Sequence, residues 1–494
     1  MVTERVEAPR CAPSGGRSAT GGRLAWAPIA ALTGLVGCSE PLPNREPGGW
    51  ADGLSLAALE DLNPDPHILE VNLEASVVTL PVWSLRPPTE VYAFNGSIPG
   101  PLVELAVGDR LIVHFTNNLP EPTTIHWHGL RIDNDMDGAP HHPRPPVLPG
   151  ERFDYDFVVP DAGIFWYHPH VNSSAQVGFG LYGPLVVHAS DDSEAAAPED
   201  EVVLVLSDIG INEDGTIADP SAGGDLATLF GREGNLILVN GRWLPTLIVR
   251  SGITQRWRVV NAARSRYFKL ELPGTTFTRI GNDGGLLPRP VEEDELFLIP
   301  GQRADVLVTP SAANGTVQFL TWVPYDRGFG STELRTDQLI MRLDLTDDPP
   351  GEPTQASFTR AIEPIDVSGA TPVKMRLTEM MDEEGRLLMG INDVPFEELD
   401  PWLASIGETQ VWEVENEMDW DHPFHLHGFF FQELDADGVP LEPLSWQDSI
   451  NVPAREIRRI AVVFDERPGM WMFHCHILDH ADVGMMGMLH LSEP

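Results

Sequence analysis

The sequence predicts an all-β protein of three related two-sheet sandwiches with Greek-key connections. Three observations carry that expectation. A pattern recurs three times, its copies lie about 150 residues apart, and its segments are short, β-branched and alternating, with Gly, Pro and Asn between them. A repeat of that length is a domain, not a solenoid unit. Period-2 alternation bounded by turn residues is the pattern of antiparallel sandwich strands.

The first copy reads Asn95-Gly96, Pro99, then Gly108 to Val113 and Asn117. The second reads Asn240-Gly241, Pro245, Gly252, then Arg256 to Asn261. The third reads Asn392, Pro395, Gly407, then Val411 to Asn416. A second landmark follows in each: Pro149-Gly150-Glu151-Arg152, Pro300-Gly301-Gln302-Arg303 and Pro453-Ala454-Arg455-Glu456. Acidic, Pro-containing stretches at 190–200 and 346–353 read as linkers. The expected domains are therefore 62–195, 196–355 and 356–494.

The first forty residues read as a processing signal. Arg17 and Arg23 precede an apolar run from Leu24 to Gly37, too short to span a bilayer permanently. It ends in Leu35-Val36-Gly37-Cys38, which resembles a bacterial lipobox, so residues 1–38 are expected to direct export, with Cys38 lipidated. Cys11 would leave with the signal. Residues 39–61, rich in Pro, Gly and acid, are expected to form a flexible tether. The location implied is the periplasmic side of a bacterial membrane, touched only through that lipid anchor, or the free periplasm if the segment is an ordinary secretion signal and Cys38 incidental.

The chain carries 74 acidic and 32 basic residues, for a net charge of −42. That excess repels phosphate and excludes nucleic acid as a partner. It favours cations, although solubility alone also accounts for it. Three cysteines in 494 residues cannot build a disulfide framework.

Most of the sixteen histidines fall in four short clusters: His126-Trp127-His128, His168-Pro169-His170, His422 with His425-Leu426-His427, and His474-Cys475-His476 followed by His480 and Met485. The clusters occupy matching places in repeats one and three. In repeat two the equivalent strand, Gln318 to Trp322, carries none. Residues i and i+2 of a strand share a face, so each His-X-His presents two imidazoles side by side. Eight imidazoles exceed the needs of one metal and suit a multinuclear cluster where repeats one and three meet. Cys475 points to the opposite face, where it can join His422, His480 and Met485. Two His, a thiolate and a weak thioether are the donors of a blue-copper electron-transfer site. The other histidines, His67, His114, His141, His142, His188 and His490, read as surface or satisfied core.

With these motifs the chain resembles the multicopper oxidases in their three-domain bacterial form, over residues 62–494. The resemblance implies three cupredoxin-like domains, four copper ions and a monomer. It implies His422, Cys475, His480 and Met485 at a type 1 copper, and His126 and His425 at a type 2 copper. His128, His168, His170, His427, His474 and His476 would hold a type 3 pair. Asp137 matches a family Asp near the three-copper cluster. Cys475, His474, His476 and Asp137 would carry the catalysis, with dioxygen as acceptor. Relatives often carry Glu where this chain has Ala481, which leaves Asp479 or Asp482 to supply protons.

The electron donor stays open between phenols or aromatic amines, as in laccases, and metal ions such as Cu(I), Fe(II) or Mn(II). A non-catalytic copper-binding scaffold is the third reading. Met375, Met380, Met381 and Met389 read as core filling rather than a soft-metal site. Asp419 and Asp421 stand before His422, where they would steer a cation, accept a phenolic proton, or simply line a solvated loop.

Overall fold

A computed structural model describes residues 54–83, 86–140, 144–190, 198, 200–311, 316–328, 335–353 and 360–493. Cys11, Cys38, the apolar run between them, His141 and His142 lie outside the described residues. Among the described residues the α-helices are short: Ser173–Gly178, Gly224–Phe230 and Leu478–Asp482. Strands form six sheets, two to a sandwich. In the first sandwich the strands Ile68–Leu80, Thr89–Phe94, Arg110–Asn118 and Arg152–Val158 cover Val103–Ala106, His126–His128, Gly163–His168 and Gly183–His188. Between them lies a core that includes Val113, Phe115, Trp127 and Tyr167. The second and third sandwiches enclose cores around Trp257 and Trp322, and around Trp412 and Trp471.

The sequence repeat is visible as a repeated hydrogen-bond device. Asn95, Asn240 and Asn392 each hold a left-handed turn, at φ 47°, 50° and 58°. Each side-chain Oδ1 accepts a backbone N–H of a neighbouring strand, from Glu74, Val205 and Arg376. Asn117, Asn261 and Asn416 are fully buried. Each donates Nδ2–H to loop carbonyls and accepts the N–H two residues on. A buried amide that meets loop backbone in this way is costly to replace.

One expectation needs correcting. The sandwiches are not purely antiparallel: every sheet contains one parallel pair, such as Ile68–Leu80 with Arg110–Asn118 and Trp402–Ser405 with Met486–Ser492. The chain crosses to the opposite sheet before returning beside its earlier strand, and such a crossover sets the two strands parallel. Residues 54–61, placed in the expected tether, make contacts with the sandwiches. Leu54 is 3% exposed in the core of the second sandwich, and Ala57 accepts a hydrogen bond from Leu102 N–H.

The first and second sandwiches pack through Val82 and Val91 against Ile209, Ile211 and Leu238. A second shared core joins Trp166 and Tyr182 to Val205, Val260 and Leu478, the last from the third sandwich. The turn at Gly241 presses into this contact: at φ +72°, an added Cβ would lie 1.8 Å from the Ile98 carbonyl oxygen. Gly96 has a similar φ, +75°, and open space around it. Gly96→Ala should therefore cost only the left-handed conformation, about 1 kcal/mol. Gly241→Ala should lower the thermal midpoint far more, by wedging the two sandwiches apart. Equal midpoints for the two variants would show that the close approach does not matter.

Candidate metal centre

Strand register assembles the histidines. His126–His128 runs antiparallel to Gly163–His168 with His126 opposite His168. His422–Leu426 runs antiparallel to Gly469–Cys475 with His425 opposite His474. The first and third sandwiches thus present equivalent imidazole sets, and the two sets meet. His126 stacks on His427 with ring centroids 3.9 Å apart, and His128 on His425 at 3.8 Å. All eight imidazoles are buried, His170 being the most exposed at 6%.

In six of the eight rings a hydrogen bond decides which nitrogen stays bare. His126 donates Nδ1–H to the Asp137 carbonyl at 2.8 Å, and His427 donates Nδ1–H to Asp137 Oδ2 at 2.9 Å. His168 donates to the Pro169 carbonyl, His425 to the Asp448 carbonyl and His474 to the Cys475 carbonyl. Their Nε2 atoms are therefore lone-pair donors. His128 is reversed: its Nε2–H lies 3.3 Å from Asp448 Oδ1, which leaves Nδ1 bare. This is the arrangement in which outer carbonyls and carboxylates orient metal-binding imidazoles.

The bare nitrogens face one another. His427 Nε2 and His474 Nε2 lie 3.1 Å apart, and His170 Nε2 lies 3.2 Å from His474 Nε2. His126 Nε2, His168 Nε2, His425 Nε2, His128 Nδ1 and both nitrogens of His476 are buried without a hydrogen-bond partner. Converging lone pairs repel and leave each desolvated nitrogen unpaired. Cations between them remove both costs. Burial pushes His128, His168, His170, His474 and His476 well below the ordinary imidazole range, and His427 down to about 3. The rings stay neutral, as ligation requires. The donor set fits a cluster of imidazole-seeking transition metals.

A second centre lies on the other face of the strand Gly469–Cys475. Cys475 Sγ is 3.4 Å from His422 Nδ1 and 3.5 Å from His480 Nδ1, and the two Nδ1 atoms are 3.2 Å apart. All three side chains are fully buried. His480 donates Nε2–H to the Leu229 carbonyl at 3.1 Å, which keeps its Nδ1 bare toward the sulfur. Burial pushes the Cys475 thiol up to about 12 and, with Arg327, the His480 imidazole down to about 4. A thiolate here needs a bound cation. Met485 is fully buried in the same core as Cys475, whereas Met486 falls on the opposite face, across from His474.

The structure places the remaining candidates as follows. Asp137 sits between His126 and His427, and Gly138 turns tightly beneath the Ile125 carbonyl. Ala481 is buried. Asp479 binds Ser174, Ser265 and Arg232, and Asp482 accepts the Ser173 and Ser174 amides. Asp421 is buried and engaged by Tyr325, Asn451 and the Ala454 amide, so it braces its loop rather than lining a solvated one. Asp419 pairs on the surface with Arg455. Met375 and Met389 are core residues, while Met381 is 66% exposed. The described histidines outside the clusters pair with surface carboxylates, His67 with Asp109, His114 with Glu70 and Asp154, His188 with Glu104, or stand exposed, as His490 does.

Sequence reading missed the middle sandwich's part. Arg303, in the second landmark, is fully buried and donates to Asp448 Oδ1 at 2.8 Å. Asp448 in turn reaches His128 and, through its carbonyl, His425. Asp283 accepts the Arg303 amide at 2.9 Å. Burial alone would raise the Asp448 carboxyl, but the Arg303 guanidinium outweighs it and holds Asp448 well below the usual range. Burial pushes Asp283 the other way. Gly301 closes the contact: a Cβ there would lie 2.7 Å from His476 Cδ2.

Three segments, residues 79–192, 190–332 and 366–493, match family profiles that each describe multicopper oxidases. The chain is 30% identical over 435 residues to the multicopper oxidase MmcO of Mycobacterium tuberculosis, across 81% of this chain and 82% of the relative. It is 29% identical to a laccase of Bacillus subtilis, across 83% and 91%. Among solved structures, a multicopper oxidase from Campylobacter jejuni described as a metallo-oxidase superposes with a TM-score of 0.77 at 30% identity, over 89% of this chain and 94% of that one.

Removing one partner from a buried charge network leaves the others uncompensated, at a cost of roughly 3–5 kcal/mol. Arg303→Met, similar in length and uncharged, should lower the denaturation midpoint accordingly. An unchanged midpoint would mean that the carboxylates are neutralised by another route.

Proposed function

This chain belongs to the multicopper oxidase family, and from that membership we propose a laccase-like oxidase of phenols or aromatic amines that reduces dioxygen to water with four copper ions. The observation that carries this reading is the placement of Cys475 between His474 and His476, with both donor sets complete around it. The protein is an oxidoreductase and its metal is copper. His422, Cys475, His480 and Met485 would hold the type 1 ion, and His126 and His425 the type 2 ion. His128, His168, His170, His427, His474 and His476 would hold the type 3 pair. The mutual approach of His170, His427 and His474 supports a shared ion for those three.

When bound, copper supplies one-electron chemistry: four donor molecules each lose an electron, and one dioxygen takes four electrons and four protons to give two waters. Cys475 couples the two centres. Its backbone continues into His474 and His476, and its carbonyl takes the His474 Nδ1–H at 2.8 Å, which adds a hydrogen-bonded contact to the covalent path. Asp137 Oδ2 holds the His427 Nδ1 proton and so aims Nε2 inward. Around Cys475, full burial excludes water from the thiolate.

The outer edge of the His480 ring meets the Leu229 carbonyl of the helix Gly224–Phe230. Arg327 donates to the Phe230 carbonyl and completes this cover. The donor therefore docks against the middle sandwich's helix. Met375 and Met389, two of the four methionines weighed as a soft-metal site, are buried in the core and offer no docking position for a metal substrate. We also propose export as a lipoprotein through Cys38, which intact mass of the mature chain would test.

Dioxygen uptake by the copper-loaded protein is expected to be fast with a methoxyphenol and slow with Cu(I). The reverse ranking would make it a metal oxidase. Cys475→Ser should abolish the blue absorption and donor oxidation while the histidine-bound coppers remain. Full oxidase activity in that variant would rule out the Cys475 route.

A further inference from the structure

The face of the third sandwich that carries His474 also carries an unusual row of side chains. The strands Gly469–Cys475 and Met486–Ser492 run antiparallel, with His474 opposite Met486, Met472 opposite Met488 and Met470 opposite His490. Opposed residues share a face, as do residues two apart. His490, Met470, Met488, Met472, Met486 and His474 therefore form one continuous row. His490 at its outer end is exposed, Met470 and Met486 are partly exposed, and Met472, Met488 and His474 are buried. The four methionines pack together with Ala139 and Phe396 in a cluster of their own.

Methionine often fills gaps in a core, and elsewhere in this sandwich it does. Met375, Met389 and Met418 are dispersed among Leu, Ile, Val, Phe and Trp in the main core. The cluster beside His474 contains no Leu, Ile or Val among the described residues. Branched residues would pack such a face with better-defined rotamers, so packing alone does not call for four thioethers at cross-strand spacing. Thioether sulfur is a soft, neutral donor with no proton to lose, and it selects Cu(I) among biological cations.

We propose that Met470, Met472, Met486 and Met488 form a Cu(I)-binding row that receives the ion near His490 and passes it to the trinuclear histidines at His474. The proposal rests on the copper reading above. The ion enters and leaves the row as Cu(I), so no electron is transferred there. The row is separate from the Cys475 centre, which occupies the other face of the same strand.

The test uses the copper-replete full-length protein and Ag(I), a redox-silent analogue of Cu(I). Bound metal is counted and its sulfur ligation read by X-ray absorption. The comparison variant is M470L/M472L/M486L/M488L, since Met and Leu are close in volume and such swaps cost little stability. M375L/M389L controls for loss of thioethers as such. Wild type and control are expected to hold additional Ag(I) in a thioether environment, and the quadruple variant to lose it. Anaerobic filling of the metal-free protein by Cu(I) should slow in the quadruple variant. Equal Ag(I) content and sulfur ligation in wild type and variant would overturn the proposal. Should the quadruple variant fold poorly, M470L/M486L, at the partly exposed positions, gives the same comparison. Wild type that never turns blue would sink the oxidase reading, while the Ag(I) difference still decides the methionine row.

Discussion

The molecule is organised around unpaired nitrogen lone pairs buried where the first and third sandwiches meet. Each is a desolvated acceptor that costs about 1–3 kcal/mol when left unmatched, and several point at one another. No rearrangement of side chains relieves this, because the opposite nitrogen of His126, His168, His425, His427 and His474 is already committed to a carbonyl or to Asp137. Only cations satisfy them. Metal ions held there would be part of the interface, so metal content and the docking of the two sandwiches would be linked quantities.

The middle sandwich contributes no imidazole to either centre, yet both depend on it. Arg303 supplies the positive charge that lets Asp448 stay ionised beside His128. Gly301 leaves room for the His476 ring. The Leu229 carbonyl sets the tautomer of His480 and covers its outer edge. These contacts act on the ligands' orientation and surroundings, where reduction potential is tuned. The middle sandwich thus acts one step outward from the imidazoles, through the residues that hold and cover them.

What the sequence revealed and what it hid divide along a physical line. His-X-His pairs, the opposite-face position of Cys475 and the three-fold repeat are local, because strand alternation depends only on neighbours. Cross-strand register is not local. The methionine row could not be read from spacing, since Met470 and Met472 meet Met486 and Met488 only through pairing of two strands. Arg303 was visible as a repeat landmark and looked like strand punctuation; its burial against Asp448 joins positions 145 residues apart. The role of Asp421 stayed open between steering a cation, accepting a proton and lining a solvated loop, because its partners, Tyr325 and Asn451, come from other segments. Leu54 looked like tether because its company is Pro, Gly and acid, and a single apolar residue anchors it.

One strand explains how two chemistries coexist without interfering. Along Gly469–Cys475, Met470 and Met472 share the face of His474 and pack with Ala139 and Phe396, while Trp471, Phe473 and Cys475 face the apolar core. The core face is dry and keeps water from the sulfur. The other face gathers nitrogen and thioether donors and opens toward solvent at Met470. Residues 474 and 475 are consecutive, so the two environments are separated by the thickness of a strand and joined by one peptide unit. A longer connection would weaken electronic coupling; placing both centres on one face would let their ligands compete for the same ions. Period-2 alternation meets both demands at once, and it explains why a His-Cys-His run that is to link two such centres would lie on a strand rather than on a helix or loop.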